Sequence, residues 1–111
     1  MLLNKTNKTF IIAEIGNNHE GDFNLAKKMI SLAVDAGADA VKFQTFNLEL
    51  FVSFDLTERI KRLQSFKLSS DEFIKLSEYA KESNILFFST PFDIDSAIFL
   101  NKIQPIFKIS S

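Results

Sequence analysis

The stretch 22–45, DFNLAKKMISLAVDAGADAVKFQT, decides the fold, because it reads as one helix followed directly by one strand. Asp22 is a suitable N-cap, and Gly37 stands where a helix commonly ends in a left-handed residue. Between them, apolar residues recur at helical spacing, at Leu25, Met29, Leu32, Ala33 and Ala36. The β-rich run 40–45 comes next, so the sequence predicts a helix that leads into a strand.

The same alternation continues on both sides of this stretch. Runs rich in β-branched and aromatic residues predict further strands at 10–15, 85–90 and 106–110. A capping box at 69–72, with Leu68 and Phe73 as a hydrophobic staple, predicts a second helix that ends near 84, and a third helix is predicted from 93 to about 102. Strands that alternate with helices indicate right-handed βαβ units and a parallel sheet.

The connection 46–68 is too long for a simple turn. It contains an amphipathic pattern at Leu56, Ile60 and Leu63. Folds of this class place substrate contacts in long insertions after a strand, and a plain surface helix fits the pattern equally well.

The composition is that of an ordinary globular chain that folds as one domain. Of 111 residues, 46% are hydrophobic and 24% are charged. A net charge of -1 gives no broad basic field for a nucleic acid or a membrane surface. The absence of cysteine excludes disulfides and thiolate metal sites and mildly favours the cytoplasm. The sequence predicts neither a signal peptide nor a membrane span.

Polar residues gather toward the carboxyl ends of the predicted strands. Because alternate side chains of a strand share a face, one face of the sheet is expected to carry Glu14, Lys42, Gln44, Thr90, Lys108 and Ser110. The opposite faces are mostly apolar and suit packing against helices. Charged groups at one end of a parallel sheet are costly to bury unless they meet each other or a ligand. The pattern therefore predicts either a catalytic mouth or a set of ion pairs without a ligand.

Four ordered segments carry a family resemblance. They are IAEIGNNHEG at 12–21, AGADAVKFQT at 36–45, FSTPF at 88–92 and FKISS at 107–111. Together they closely resemble the N-terminal signature of the sialic acid synthases, also called N-acetylneuraminate synthases, whose relatives make legionaminic and pseudaminic acids. The resemblance implies that residues 1–111 are the N-terminal half, about four β/α units, of a TIM-type (β/α)8 barrel domain.

The resemblance also implies a metal-dependent condensation. Phosphoenolpyruvate adds through its methylene carbon to the aldehyde of an open-chain N-acetylmannosamine-type sugar, water attacks the resulting cationic carbon, and phosphate leaves. By similarity the phosphoenolpyruvate anion is held by Lys42, Thr90, Lys108 and Ser111. Glu14 corresponds to an active-site carboxylate and Gln44 to a neighbouring polar contact. The expected catalytic residues are thus Glu14, Lys42 and Lys108.

The turn after the first strand adds Asn18 and His19 as candidate substrate contacts. Asn17 and Asn18 serve equally well as turn residues. His19 is the only histidine, so a loop-organising role is favoured over metal ligation. The resemblance implies a divalent metal, Mn²⁺ or Mg²⁺, whose ligands lie outside this chain, and a homodimer of the complete enzyme.

Two functions stay open at this point. The chain is either part of such a synthase, inactive in isolation, or a non-catalytic α/β binding or interaction module that retains the fold. A nucleotide-binding doubly wound domain is disfavoured, because Gly16, Gly21 and Gly37 are the only glycines and form no phosphate-binding fingerprint.

Overall fold

The computed structural model describes residues 8–45 and 66–110, and within them three strands alternate with three helices. The elements, in chain order, are β1 (Ile12–Gly16), α1 (Phe23–Asp35), β2 (Ala40–Thr45), α2 (Ser70–Glu82), β3 (Leu86–Pro91) and α3 (Ile94–Leu100). The strands form one parallel sheet in the order β1-β2-β3. The predicted α/β organisation with a parallel sheet is confirmed.

Residues that the sequence analysis predicted as helix caps lie at the ends of the helices. The carboxylate of Asp22 accepts from the backbone N–H of Leu25 at 3.1 Å and so caps α1. Gly37, two residues beyond α1, has a φ of +85°. At the start of α2 the hydroxyl of Ser69 accepts from the N–H of Glu72 at 3.1 Å, and the Glu72 carboxylate accepts from the N–H of Ser69 at 2.9 Å. Each bond satisfies a donor that a helix otherwise leaves open.

The hydrophobic core lies on one side of the sheet, which we call the core face. This face is formed by Ala13, Ile15, Val41, Phe43, Thr45, Phe87 and Ser89. Phe43 is fully buried, and its ring centroid lies 5.2 Å from that of Phe87 and 6.3 Å, edge-on, from that of Phe73 in α2. Buried residues of both long helices complete this core, namely Ala26, Ile30 and Ala33 from α1 and Leu76 and Ala80 from α2.

The other side of the sheet, which we call the polar face, carries the ionised side chains of the strands. It is formed by Ile12, Glu14, Ala40, Lys42, Gln44, Leu86, Phe88 and Thr90. The parallel register aligns Glu14 with Lys42 and Gln44 with Thr90. Glu14 is exposed, whereas Thr90 is buried. The two faces therefore carry different chemistry on the same three strands.

The prediction of a fourth strand at 106–110 is wrong, since these residues form no strand in the described structure. The outer edge of β3 is instead occupied by Gln104, a side chain that is 6% exposed. Its Oε1 accepts from the N–H of Ser89 at 2.7 Å, and its Nε2 donates to the carbonyls of Ser89 at 3.0 Å and Ile106 at 2.9 Å. Because the amide takes both backbone groups of Ser89, a strand cannot pair with β3 at that residue.

Two parts of the sequence predictions concern residues outside the described structure. The amphipathic segment with Leu56, Ile60 and Leu63 lies outside the described residues, as does Ser111. Within residues 8–45 and 66–110, no helix has the length and apolar character that crossing a membrane requires.

Candidate active site

The candidate site lies on the polar face, toward the carboxyl ends of the strands. The register of the sheet brings together Glu14 from β1, Lys42 and Gln44 from β2, and Thr90 from β3. These four residues were predicted from the alternation of side chains and from the family resemblance. The carboxyl edge of a parallel sheet is where α/β enzymes place their active sites.

Glu14 and Lys42 form an ion pair across the two neighbouring strands, between the Lys42 ammonium and Oε1 of Glu14. The Lys42 side chain is 15% exposed, whereas that of Glu14 is 53% exposed. Pairs this open to solvent typically contribute only about 0–1 kcal/mol to stability. The pair is the contact that a purely structural interpretation predicts, so it does not by itself indicate a ligand.

Asn17 joins this group although the sequence indicated only a turn residue. Its Nδ2 donates to Oε1 of Gln44 at 2.7 Å, and its Oδ1 is buried with no hydrogen-bond partner among the described residues. Asn17 directly follows Gly16, whose φ is +57°. The sequence signals for its role are its position at the polar end of a strand and its place in the segment 12–21, which carries the family resemblance.

Gly16 allows the backbone to pass close to two of these side chains. A Cβ atom at this position would lie 3.7 Å from Nε2 of Gln44 and 3.8 Å from Oε2 of Glu14. Those two atoms therefore flank the same point on the polar face. One is a hydrogen-bond donor and the other is an acceptor.

Thr90 is buried to 4% exposure, and its hydroxyl has no partner among the described residues. A buried polar group without a partner typically costs about 1–3 kcal/mol. Valine, its apolar isostere, would avoid that cost at this strand position. An unsatisfied hydroxyl beside a lysine and an amide is thus the observation that ion pairing alone does not explain.

His19 and Asn18 lie in the turn that connects β1 to α1. His19 is 1% exposed, its Nδ1 accepts from the N–H of Gly21 at 2.9 Å, and its ring centroid lies 5.9 Å from that of Phe43. Burial lowers the pKa of His19, and the negative charge of Glu72 opposes this shift. These contacts support the loop-organising role. Asn18 is exposed beside it, and its N–H donates to the carbonyl of Ile15 at 3.0 Å.

Lys108 is not brought into this group. It is exposed, and its ammonium donates to the carbonyl of Ile109 at 2.5 Å. Because residues 106–110 do not pair with β3, no fourth strand in the described part of the chain carries Lys108 toward Lys42. Its role, like that of Ser111, which lies outside the described residues, stays a prediction.

The residues of the described chain do not fit a divalent metal. No group of three or more His, Cys, Asp or Glu side chains able to hold one occurs within residues 8–45 and 66–110. Glu14 is the carboxylate of the polar face, and one of its oxygens is engaged by Lys42. Mg²⁺ commonly binds through one or two carboxylates, and the described residues of the polar face offer one, Glu14, which is already paired with Lys42.

Comparison with known proteins gives concordant matches. N,N'-diacetyllegionaminic acid synthase of Campylobacter jejuni is 42% identical over 118 residues, covering 94% of this chain and 35% of the relative. N-acetylneuraminate-9-phosphate synthase of Homo sapiens is 36% identical over 115 residues, covering 92% of this chain and 32% of the relative. The chain thus spans about a third of the length of these curated relatives.

A crystal structure and a family match extend this result. The N-acetylneuraminic acid (sialic acid) synthetase of Leptospira borgpetersenii, solved in complex with citrate, matches with a TM-score of 0.87 and 43% identity, covering 93% of this chain and 36% of that one. The α/β fold therefore matches the N-terminal part of a sialic acid synthase structure. Residues 29–111 match the NeuB family. Since this match covers most of the chain, the chain belongs to the NeuB family. The relatives that it matches include sialic, legionaminic and pseudaminic acid synthases.

Proposed function

We propose that this chain is the N-terminal part of the barrel domain of a phosphoenolpyruvate-dependent synthase. The reaction condenses phosphoenolpyruvate with an N-acetylmannosamine-type sugar and releases phosphate, giving a nine-carbon nonulosonic acid. The observation that carries the proposal is the unsatisfied Thr90 hydroxyl beside Lys42 and Gln44 on the polar face. Membership of the NeuB family and the names of the relatives support it.

The side chains of the polar face have different roles, which follow from their charge and hydrogen-bonding capacity. Lys42 offers a cation to a carboxylate or phosphate oxygen of phosphoenolpyruvate, and a charge-assisted bond of this kind is among the stronger polar contacts. Thr90 donates its hydroxyl to the same anion, which satisfies an atom that has no partner among the described residues. As the anion engages Lys42, the Glu14 carboxylate becomes free to accept a hydrogen bond from a hydroxyl of the sugar.

The metal that the resemblance implies has no ligand set in the described residues. Nothing on the polar face takes the place of a Lewis acid at the sugar aldehyde. We therefore propose that the isolated 111-residue chain forms no product. Product formed from phosphoenolpyruvate and N-acetylmannosamine by the purified chain alone would contradict this part of the proposal.

The test of the synthase function is a chimera. Residues 1–111 replace the matching segment of the Campylobacter jejuni N,N'-diacetyllegionaminic acid synthase, which supplies the remaining two thirds of the enzyme. We expect release of phosphate that depends on both phosphoenolpyruvate and an N-acetylated amino sugar, with formation of a nonulosonic acid. A chimera with native-like circular dichroism that releases no phosphate would instead favour the non-catalytic binding module.

A further inference from the structure

Among the described residues, the Gln44 amide has one side-chain hydrogen bond, which comes from Asn17. Nδ2 of Asn17 donates to Oε1 of Gln44 at 2.7 Å, across 27 residues of sequence. Both side chains are partly buried. An amide whose oxygen is engaged in this way has its NH2 group turned to the other side.

The opposite orientation of the two amides is disfavoured by the surroundings of Asn17. The position of its Oδ1 is buried and has no hydrogen-bond partner among the described residues. Rotating both amides would let Nε2 of Gln44 donate to Asn17, but it would place the two N–H groups of Asn17 where Oδ1 now lies. Buried N–H groups without an acceptor are rarer in proteins than buried oxygens without a donor. The orientation with Gln44 Oε1 as the acceptor is therefore the more stable one.

The NH2 group of Gln44 and the second carboxylate oxygen of Glu14 both face the backbone at Gly16. Nε2 of Gln44 and Oε2 of Glu14 both lie within 4 Å of the Cβ position at Gly16. The Glu14 oxygen accepts hydrogen bonds and the Gln44 nitrogen donates them. Adjacent hydroxyl groups can satisfy both at once, because each hydroxyl is a donor and an acceptor. An ionised phosphate or carboxylate can accept from Nε2 of Gln44 but has no hydrogen to donate to the Glu14 oxygen, so it satisfies only one of the two atoms.

We infer that Asn17 is a positioning residue: it holds the Gln44 amide with its NH2 group turned toward Glu14, so that the two side chains present a donor and an acceptor to hydroxyl groups of the acceptor sugar. The inference rests on the proposed synthase function and names the part of the polar face that takes the sugar. Asn17 itself contacts Gln44 and not the substrate. Its substitution should therefore alter how the sugar is bound and leave the binding of phosphoenolpyruvate in place.

The orientation of the amides is tested on the 111-residue chain by nuclear magnetic resonance. A scalar coupling through the hydrogen bond should connect Nδ2 of Asn17 to Cδ of Gln44. In Asn17→Asp the new carboxylate can only accept, so the Gln44 amide should rotate and its NH2 resonances should shift. A coupling from Nε2 of Gln44 to Cγ of Asn17 in the original chain, or no coupling in a well-dispersed spectrum, would overturn the inference.

The consequence for the sugar is tested in the active chimera with two variants. Asn17→Asp turns the Gln44 amide around, and Gln44→Glu keeps the bond from Asn17 but replaces the outward donor with an acceptor. Losing one hydrogen bond of this kind corresponds to roughly tenfold in affinity. We expect each variant to raise the KM for the sugar by about that factor and to change the KM for phosphoenolpyruvate less than about twofold.

The matched control is Asn101→Asp, which introduces the same charge change at the exposed residue that follows α3. It should leave both KM values within twofold of the parent chimera. A rise in both KM values in Asn17→Asp, or a change in kcat alone, would show that Asn17 has only a structural role. The coupling on the isolated chain decides the amide orientation even for an inactive chimera, so the failure of this inference and that of the synthase function are distinguishable.

Discussion

The two faces of the sheet are built from alternate residues of the same strands, yet they satisfy their side chains in opposite ways. On the core face, polar atoms are paired: the hydroxyls of Thr45 and Ser89, both buried, are 2.7 Å apart. On the polar face, the equally buried hydroxyl of Thr90 has no partner among the described residues, and neither has Oδ1 of Asn17. The buried strand hydroxyls of the core face are thus paired within the described chain and that of Thr90 is not, although Nε2 of His19, whose ring packs on Phe43, also lacks a partner there.

This difference separates stability from binding. Residues of the core face contact other parts of the protein, so their substitution should change the free energy of unfolding. Residues of the polar face contact each other weakly and leave hydrogen-bonding capacity unused, which favours a ligand as the missing partner. Substitutions there should change binding more than unfolding.

The largest effect is expected from Phe43→Ala on the core face. The ring is fully buried and contacts Phe73, Phe87 and His19. Removing a buried phenylalanine typically costs about 3–5 kcal/mol, which is close to the whole stability of a small domain. Urea unfolding followed by circular dichroism measures the loss. The control is Phe107→Ala, where the ring is 39% exposed and the cost should be much smaller; equal costs would contradict the central place of Phe43 in the core.

The next effect concerns Lys42→Met on the polar face, assayed in the chimera. Methionine keeps the length of the side chain but removes the charge that we assign to phosphoenolpyruvate. We expect a loss of about 2–4 kcal/mol of transition-state stabilisation in kcat/KM for phosphoenolpyruvate. Because the Glu14 side chain is 53% exposed and stays solvated when Lys42 is replaced, the free energy of unfolding should change by less than about 1 kcal/mol. Unfolding that changes more than catalysis would assign Lys42 to the structural ion pair.

A matched pair of substitutions gives opposite signs on the two faces. Thr90→Val removes a hydroxyl that has no partner within residues 8–45 and 66–110, so the free energy of unfolding should rise, by about 1 kcal/mol. Thr45→Val leaves the Ser89 hydroxyl without its partner, so the free energy of unfolding should fall by about 1–3 kcal/mol. Chemical denaturation of both variants measures the signs. A loss of stability in Thr90→Val would show that its hydroxyl is satisfied within the protein.

The smallest effect is expected from the pH dependence of His19. Burial lowers its pKa in the folded protein below the usual value of 6.5, so the folded state favours the neutral ring. This contribution to stability is fully present above about pH 6.5 and is lost as the pH falls through the lowered pKa. The free energy of unfolding should therefore fall as the pH is lowered from about 7.5 to about 5.0, the range in which histidine usually titrates. In His19→Gln the change over that interval should be smaller; an unchanged pH dependence would contradict the assignment.

Sequence reasoning worked where structure depends on local chemistry. The caps at Asp22 and Ser69 involve residues three positions apart, and the alternation along β2 assigned Lys42 and Gln44 to one face. These patterns need no knowledge of distant contacts. The family resemblance then gave the residues of the polar face their proposed roles.

What the sequence did not predict depends on side chains that meet from distant positions. The bond between Asn17 and Gln44 spans 27 residues and leaves no periodic trace. The fourth strand was predicted from a β-rich run, and local propensity cannot anticipate that the Gln104 amide occupies the edge at which this strand would pair. Lys108, whose expected place on the polar face required that strand, is not brought there in the described structure, and its role stays a prediction.

Gln104 also limits how the sheet can grow by addition of a strand from another molecule. The backbone N–H groups of Leu86 and Phe92 donate to the β2 side of the strand. The alternate residues Phe87, Ser89 and Pro91 therefore direct their backbone groups toward the opposite, outer edge of β3. Proline has no N–H to offer, and both groups of Ser89 are taken by the Gln104 amide. Phe87 is left as a single pairing position, too short to template an intermolecular ladder. Polymerisation through this edge is thus stopped by one glutamine, and any strand that extends the sheet must first displace it.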